Sequence, residues 1–141
     1  MTSNSRFTVA IHILTLLAFC GPEALTSEFI AGSVNTNPVV VRRLLARLRA
    51  ARMVASQGGP GGGWRLLREP RELDLGQILA AVEGSALFPL HAATPNPQCP
   101  VGRNIQAALA GIFQDAQQAL TRNLARTTVA QLAQDLATAA S

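Results

Sequence analysis

The sequence predicts a mostly α fold with one small β-hairpin. Three observations carry that expectation. Apolar residues recur at helical spacing through most of the chain. Capping and turn residues divide the chain into helix-length segments. The run Gly58-Gly59-Pro60-Gly61-Gly62-Gly63 stands between two short segments with apolar residues. That run cannot be helical and is too short to link two domains, so it reads as a hairpin tip. It follows an arginine-rich helical segment, and a hairpin behind a basic helix is the layout of a winged helix-turn-helix. At 141 residues the chain suits one domain, or one domain plus an oligomerisation arm. Hydrophobic residues make up 48%, enough for a core, and the 14% of charged residues is too low for disorder.

The elements follow in order. Ser3 or Ser5 can cap a first helix running to about Phe19, with Val9, Ile13, Leu16 and Leu17 at helical spacing. Gly21-Pro22 ends it. Thr26 and Ser27 offer caps for a short second helix, Glu28 to Val34. Asn35-Thr36-Asn37-Pro38 is turn chemistry, with Pro38 suited to a first helical position. A third helix runs from Pro38 to about Ala51. Val41, Leu44, Leu45 and Leu48 form its apolar face, Val39, Arg43 and Ala46 lie opposite, and Arg42 and Arg47 flank them.

Val54–Ser56 and Trp64–Leu67 read as the two strands of the hairpin, with Trp64 packed on the core rather than stacked on a base. After a link at Pro70–Leu73, Asp74 caps a fourth helix, Leu75 to Glu83, with Ile78, Leu79 and Val82 inward and Gly84 at its end. Residues 85–100 form a loop rich in proline and small residues, which is usually functional or mobile. A long helix from about Val101 to Ala125 carries a stripe of Ile105, Leu109, Ile112, Phe113 and Leu120. It cannot bury that stripe alone, so pairing with a second copy is expected. Thr127 and Thr128 cap a last helix carrying Val129, Leu132 and Leu136. The division is therefore a winged helix-turn-helix unit (1–84), a proline-containing sensor loop (85–100) and dimerisation helices (101–141).

Charge is unevenly placed. Lysine is absent; residues 1–68 hold eight arginines against two glutamates, +6, while residues 69–141 hold four arginines against six acids, −2. The basic part coincides with the third helix and the hairpin. Clustered arginine there suggests a polyanion, most simply double-stranded DNA. The alternative is a solvated helix face. An amphipathic helix with a basic outer face and a polar first turn fits a major groove, where arginine chelates a guanine edge or clamps phosphate. Arg42 and Arg43, near the helix start, are the favoured contacts. Glycines would let the hairpin tip enter a minor groove.

The apolar run Phe7–Cys20 is too short to span a bilayer, and Phe19 stands where a lipoprotein signal would need a small residue. A buried first helix and a cytoplasmic, reducing setting are expected. Two cysteines do not make a disulfide framework. His12 reads as structural. No carboxylate pair, Ser/His/Asp set or metal spacing is present, and the glycine run lacks the Lys-Ser/Thr of a phosphate-binding loop, so no enzyme activity is expected.

These residues resemble the Rrf-two family of bacterial winged-helix transcription regulators, which includes IscR, NsrR and CymR. The resemblance covers nearly the whole chain. It is carried by Thr2-Ser3-Asn4-Ser5-Arg6-Phe7 at the opening, Leu45 to Val54 at the end of the recognition helix, and Ser56 to Leu66 in the wing. Leu75-Gly76-Gln77-Ile78 and Val82-Glu83-Gly84 continue it, and Pro95-Asn96-Pro97-Gln98-Cys99-Pro100-Val101-Gly102-Arg103-Asn104-Ile105 most resembles the YwnA-like branch. The resemblance implies a homodimer and a palindromic operator, usually repressed. It places DNA contacts at Thr36, Asn37, Pro38, Val39, Arg42 and Arg43, at Gln57, Gly58, Gly59 and Arg65 of the wing, and at Ser3 and Arg6 for phosphate.

Three departures stand out. Arg52 occupies a turn position that commonly holds glycine. Gln57-Gly58 stands where the wing often has a basic residue, a loss that Arg65 could offset. The iron–sulphur members place three cysteines before the long helix, whereas this chain has Cys99 alone. No cofactor is expected, since one cysteine and the isolated His91 do not make the usual ligand set. Cys99, between prolines at the start of the long helix, is the candidate thiol sensor for an oxidant or electrophile, its alternative being a packing residue. Cys20 reads as core, although some relatives use a first-helix cysteine in intersubunit disulfides. A small-molecule effector is the other option. The competing function is a winged-helix protein-interaction module that does not touch DNA.

Overall fold

A computed structural model describes residues 5–84 and 87–140. Among these residues six helices and one hairpin follow the expected order: α1 (Arg6–Phe19), α2 (Ser27–Val34), α3 (Pro38–Ala50), β1 (Val54–Gln57), β2 (Gly63–Leu66), α4 (Leu75–Glu83), α5 (Pro100–Leu124) and α6 (Val129–Ala140). A 3₁₀ turn at Pro70–Glu72 precedes α4. The mostly α class with a hairpin wing is what the sequence led us to expect.

The helix starts have identifiable causes. Thr26 Oγ1 accepts from the Phe29 N–H at 3.1 Å, Asn37 Oδ1 from the Val39 N–H at 2.8 Å, and Asp74 Oδ1 from the Gln77 N–H at 2.9 Å. Each satisfies a donor that the first helical turn would leave open. Ser5 takes the position before α1, but its hydroxyl closes no cap bond. Thr128, not Thr127, caps α6 by accepting from the Gln131 N–H.

The end of α3 explains one departure from the family pattern. Arg52 sits at φ 60°, in the left-handed region. The Met53 N–H reaches back to Leu48 O at 3.0 Å and the Arg52 N–H to Arg49 O at 2.9 Å. This is a Schellman closure, whose left-handed residue is usually glycine. Here an arginine adopts that conformation.

β1 and β2 pair antiparallel, Val54 with Leu66 through Gln57 with Gly63. The second strand therefore starts at Gly63 and stops at Leu66, one residue earlier at each end than the sequence suggested. Leu25 adds a third rung: its N–H donates to Trp64 O at 2.9 Å and its O accepts from the Trp64 N–H at 2.8 Å. Gly63 is needed there. A Cβ on it would lie 2.6 Å from the Leu25 carbonyl carbon.

The core joins α1, α2, α3, α4 and β1. Ile13, Leu14, Ile30, Val41, Leu45, Leu48, Leu73 and Ile78 are fully buried. Val129 of α6 is buried with them, and α6 lies against α1. A backbone bridge between Asp74 and Thr128 fixes this return. So residues 129–140 pack with the N-terminal unit, although the sequence reading grouped them with the dimerisation helices. α5 is different. It touches α4 along one side, where a Cβ on Gly76 would meet Thr121 O at 2.9 Å, and none of its residues is buried. Among the described residues no helix is long and apolar enough to cross a membrane.

Candidate nucleic-acid interface

The site is built on α3. Its apolar face, Val41, Leu44, Leu45 and Leu48, is locked into the core, so the opposite face has a fixed orientation. Val39, Arg42, Arg43, Ala46 and Arg47 are exposed on it. Asn37 serves as the cap, Pro38 as the first helical residue, and Thr36 is half-buried before them. Gln57, Gly58 and Gly59 are exposed at the hairpin tip, and Arg65 is exposed on β2 opposite Ala55. The structure thus exposes Val39, Arg42 and Arg43 on α3 and Gln57, Gly58, Gly59 and Arg65 on the wing. Ser3 lies outside the described residues.

The arginines of the basic half are not equivalent. Arg6 donates to Glu83 Oε2 at 3.0 Å, a half-buried ion pair tying α1 to the end of α4. Arg47 Nη1 donates to the Val82 carbonyl, closing the C-terminus of the same helix. The Arg49 guanidinium lies 5.7 Å from the Trp64 ring centroid. Arg68 donates to Gln77 Oε1 at 2.9 Å and to Glu72 O at 3.2 Å. Arg42 Nη2 donates to Glu28 Oε1 at 2.8 Å. Among the described residues, Arg43, Arg52 and Arg65 have no recorded partner. Arg6, which the family resemblance offers as a phosphate contact, is engaged with the internal Glu83 carboxylate.

The structure adds residues that sequence reasoning missed. Glu28, at the first turn of α2, puts an exposed carboxylate beside Arg42. Its pKa is lowered by its own backbone N–H and then by the Arg42 guanidinium. No spacing rule links residues on two different helices, so only a tertiary contact could show this pair. Trp64 packs against the core as expected, with its Nε1–H donating to Ser27 Oγ at 3.3 Å. His12 is exposed and its Nε2 lies 2.9 Å from Ser33 Oγ.

The proposed sensor and dimer residues stand elsewhere. Cys99 is exposed at the cap position of α5. The chain before it folds back: Asn96 Oδ1 accepts from the Gln98 N–H and Asn96 O from the Cys99 N–H. Cys20 is also exposed, just past the end of α1, and so is not the core residue that the sequence suggested. The reason is that α1 ends at Phe19 and the chain turns outward at Gly21. On α5, Ile112 is 61% and Leu120 39% exposed, while Ile105, Leu109 and Phe113 are half-buried. Phe113 meets Phe88 with ring centroids 5.5 Å apart, beside a groove of 730 Å³ along α5. No group of three or more His, Cys, Asp or Glu able to hold a metal ion is present among the described residues.

Known proteins share this sequence pattern and fold. Residues 3–135 match the model of the Rrf2 family, described as an iron-dependent transcriptional regulator. YwnA of Bacillus subtilis, named as an HTH-type transcriptional regulator, is 45% identical over 123 residues, 86% of this chain and 90% of its own. A crystal structure described as that of a DNA binding protein is 38% identical at a TM-score of 0.72, covering 91% of this chain and 98% of the other. CymR, the global cysteine regulator of B. subtilis, shares the fold at a TM-score of 0.67 and 24% identity, over 95% of each chain.

Proposed function

Since the chain belongs to the Rrf2 (Rrf-two) family of transcriptional regulators, we propose that it binds double-stranded DNA as a homodimer and represses from a palindromic operator. The observation that carries this reading is the outer face of α3: Val39, Arg42 and Arg43 exposed on a helix whose other face is fixed in the core. α3 enters the major groove from its Asn37-capped end. Arg43 and Arg65, free of internal partners among the described residues, meet the phosphates. The glycine tip of the wing lies along the adjacent backbone. Dimerisation is supported by α5, which leaves Ile112, Leu120 and Val101 exposed. Two copies on a common axis set the half-site spacing. The cytoplasm is the compartment this role needs.

The family description names iron, but the donor set of this chain does not suit a cluster held in the usual way. Cys99 is the single cysteine of the 85–100 segment, and Cys20 stands at the end of another helix. We therefore assign no step to a cluster. The signal in this reading is an oxidant or electrophile acting on Cys99, an exposed thiol next to the α5 arm. Peroxide would oxidise that thiol to the sulfenic acid, releasing water and shifting the arm that sets the two recognition helices.

The test is binding of the purified protein to its own promoter fragment, by fluorescence anisotropy over a salt series. Affinity should fall steeply with salt, with a log–log slope of about 0.9 per phosphate contacted. Arg43→Ala should lower that slope by about one contact. Indifference to every duplex at low salt, or a monomer in sedimentation, refutes the reading. Cys99→Ser should abolish release by peroxide; release that persists refutes the sensor assignment alone.

A further inference from the structure

We propose that Glu28 is a specificity-determining positioning residue: it holds the Arg42 guanidinium off the phosphates and reserves it for a base edge. This rests on the DNA-binding reading above and deepens it. The pair lies on the surface, the Glu28 side chain 66% and the Arg42 side chain 49% exposed, 2.8 Å apart. Exposed pairs of this kind add little to stability. A carboxylate on the face that meets a polyanion also opposes binding at long range. The contact with Arg42 therefore adds little to stability, and its effect falls on what Arg42 can do.

The geometry limits Arg42 in a definite way. A guanidinium carries five N–H donors in a rigid fork. Glu28 takes one Nη2 donor and sets a negative charge 2.8 Å from the guanidinium, so a phosphate gains less by approaching. The remaining donors still offer the fork that matches O6 and N7 of guanine, which are uncharged acceptors. Glu28 is ionised well below neutral pH, because its own backbone N–H and Arg42 both favour the carboxylate, so the restraint is present in the cell. One turn earlier on the same face, Val39 is 46% exposed, an apolar group suited to a thymine methyl. The neighbouring Arg43 has no such carboxylate among the described residues and serves the backbone. Adjacent arginines thus divide the work, one for sequence and one for affinity.

The experiment compares the full chain with Glu28→Gln, Arg42→Ala and the double variant. Probes are a duplex selected by the protein from a random library, its single guanine substitutions, and a random duplex, each over a salt series. Glu28→Gln should raise affinity for the random duplex and steepen its salt slope by about 0.9, one added phosphate contact. Discrimination between selected and random duplex should narrow about tenfold. In the Arg42→Ala background the same change should leave discrimination unchanged and give only the smaller gain of one lost negative charge, well short of the 0.9 steepening. Unchanged slope and discrimination in Glu28→Gln overturns the proposal. So does an equal steepening without Arg42, since that reports only a lost negative charge. A parent protein that binds no duplex overturns the DNA-binding reading itself, and this one with it.

Discussion

Alanine at Gly63 should cost far more than alanine at Gly58, five residues earlier in the same glycine run. A Cβ on Gly63 would lie 2.6 Å from the Leu25 carbonyl carbon and closer still to its oxygen. Neither atom can move without breaking the paired bonds between Leu25 and Trp64, 2.9 and 2.8 Å long. Losing the two bonds costs about 2 kcal/mol. Gly63 also has φ +143°, and an L side chain there adds strain of about 1 kcal/mol or more. Gly58 has an ordinary φ and nothing within 4 Å of its absent Cβ. The loss for Gly63→Ala is thus about 3 kcal/mol, a fall in Tm of about 10 °C, with Gly58→Ala neutral or stabilising by up to about 0.5 kcal/mol. Urea denaturation followed by far-UV circular dichroism measures both. Equal losses at the two positions would refute the reasoning, because the chemistry of the two substitutions is identical and only the surroundings differ.

Three further outcomes are expected. Arg52→Gly should stabilise the protein by about 0.5–1 kcal/mol, since glycine relieves the left-handed residue closing α3 while losing some chain entropy; a lower Tm would contradict this. Arg47→Ala should lower stability by about 1–2 kcal/mol, because the Val82 carbonyl loses a charged donor, and should leave the DNA salt slope unchanged; a slope change would place Arg47 on phosphate instead. In an NMR titration the Glu28 carboxyl should have its midpoint below the ordinary glutamate value, and Arg42→Ala should raise it only part of the way, since the Glu28 backbone N–H remains. Such a depressed carboxylate contributes stability above its unfolded pKa, and that contribution disappears as pH falls through the lower folded value.

The order of elements was legible because it rests on local chemistry. Asn37-Pro38 before an apolar stripe starts a helix wherever it occurs, and Asp74 does the same for α4. The glycine run marks a hairpin because no helix tolerates it. Cys20 was misread because burial depends on where the chain turns after Phe19, not on its apolar neighbours.

Capping, periodicity and charge are properties of short stretches of chain, and they suffice to place the helices, the wing and the basic half. The fate of each arginine depends instead on the folded chain. Arg6 and Arg47 meet the end of α4, Arg49 lies over Trp64, Arg42 is held by Glu28, and Arg43 is left to solvent. Likewise, Val129 reaches the core of the N-terminal unit while no residue of α5 is fully buried. The physical reason is the same in each case. A guanidinium or an apolar stripe needs a partner, and when that partner lies on another element, only the folded chain brings the two together.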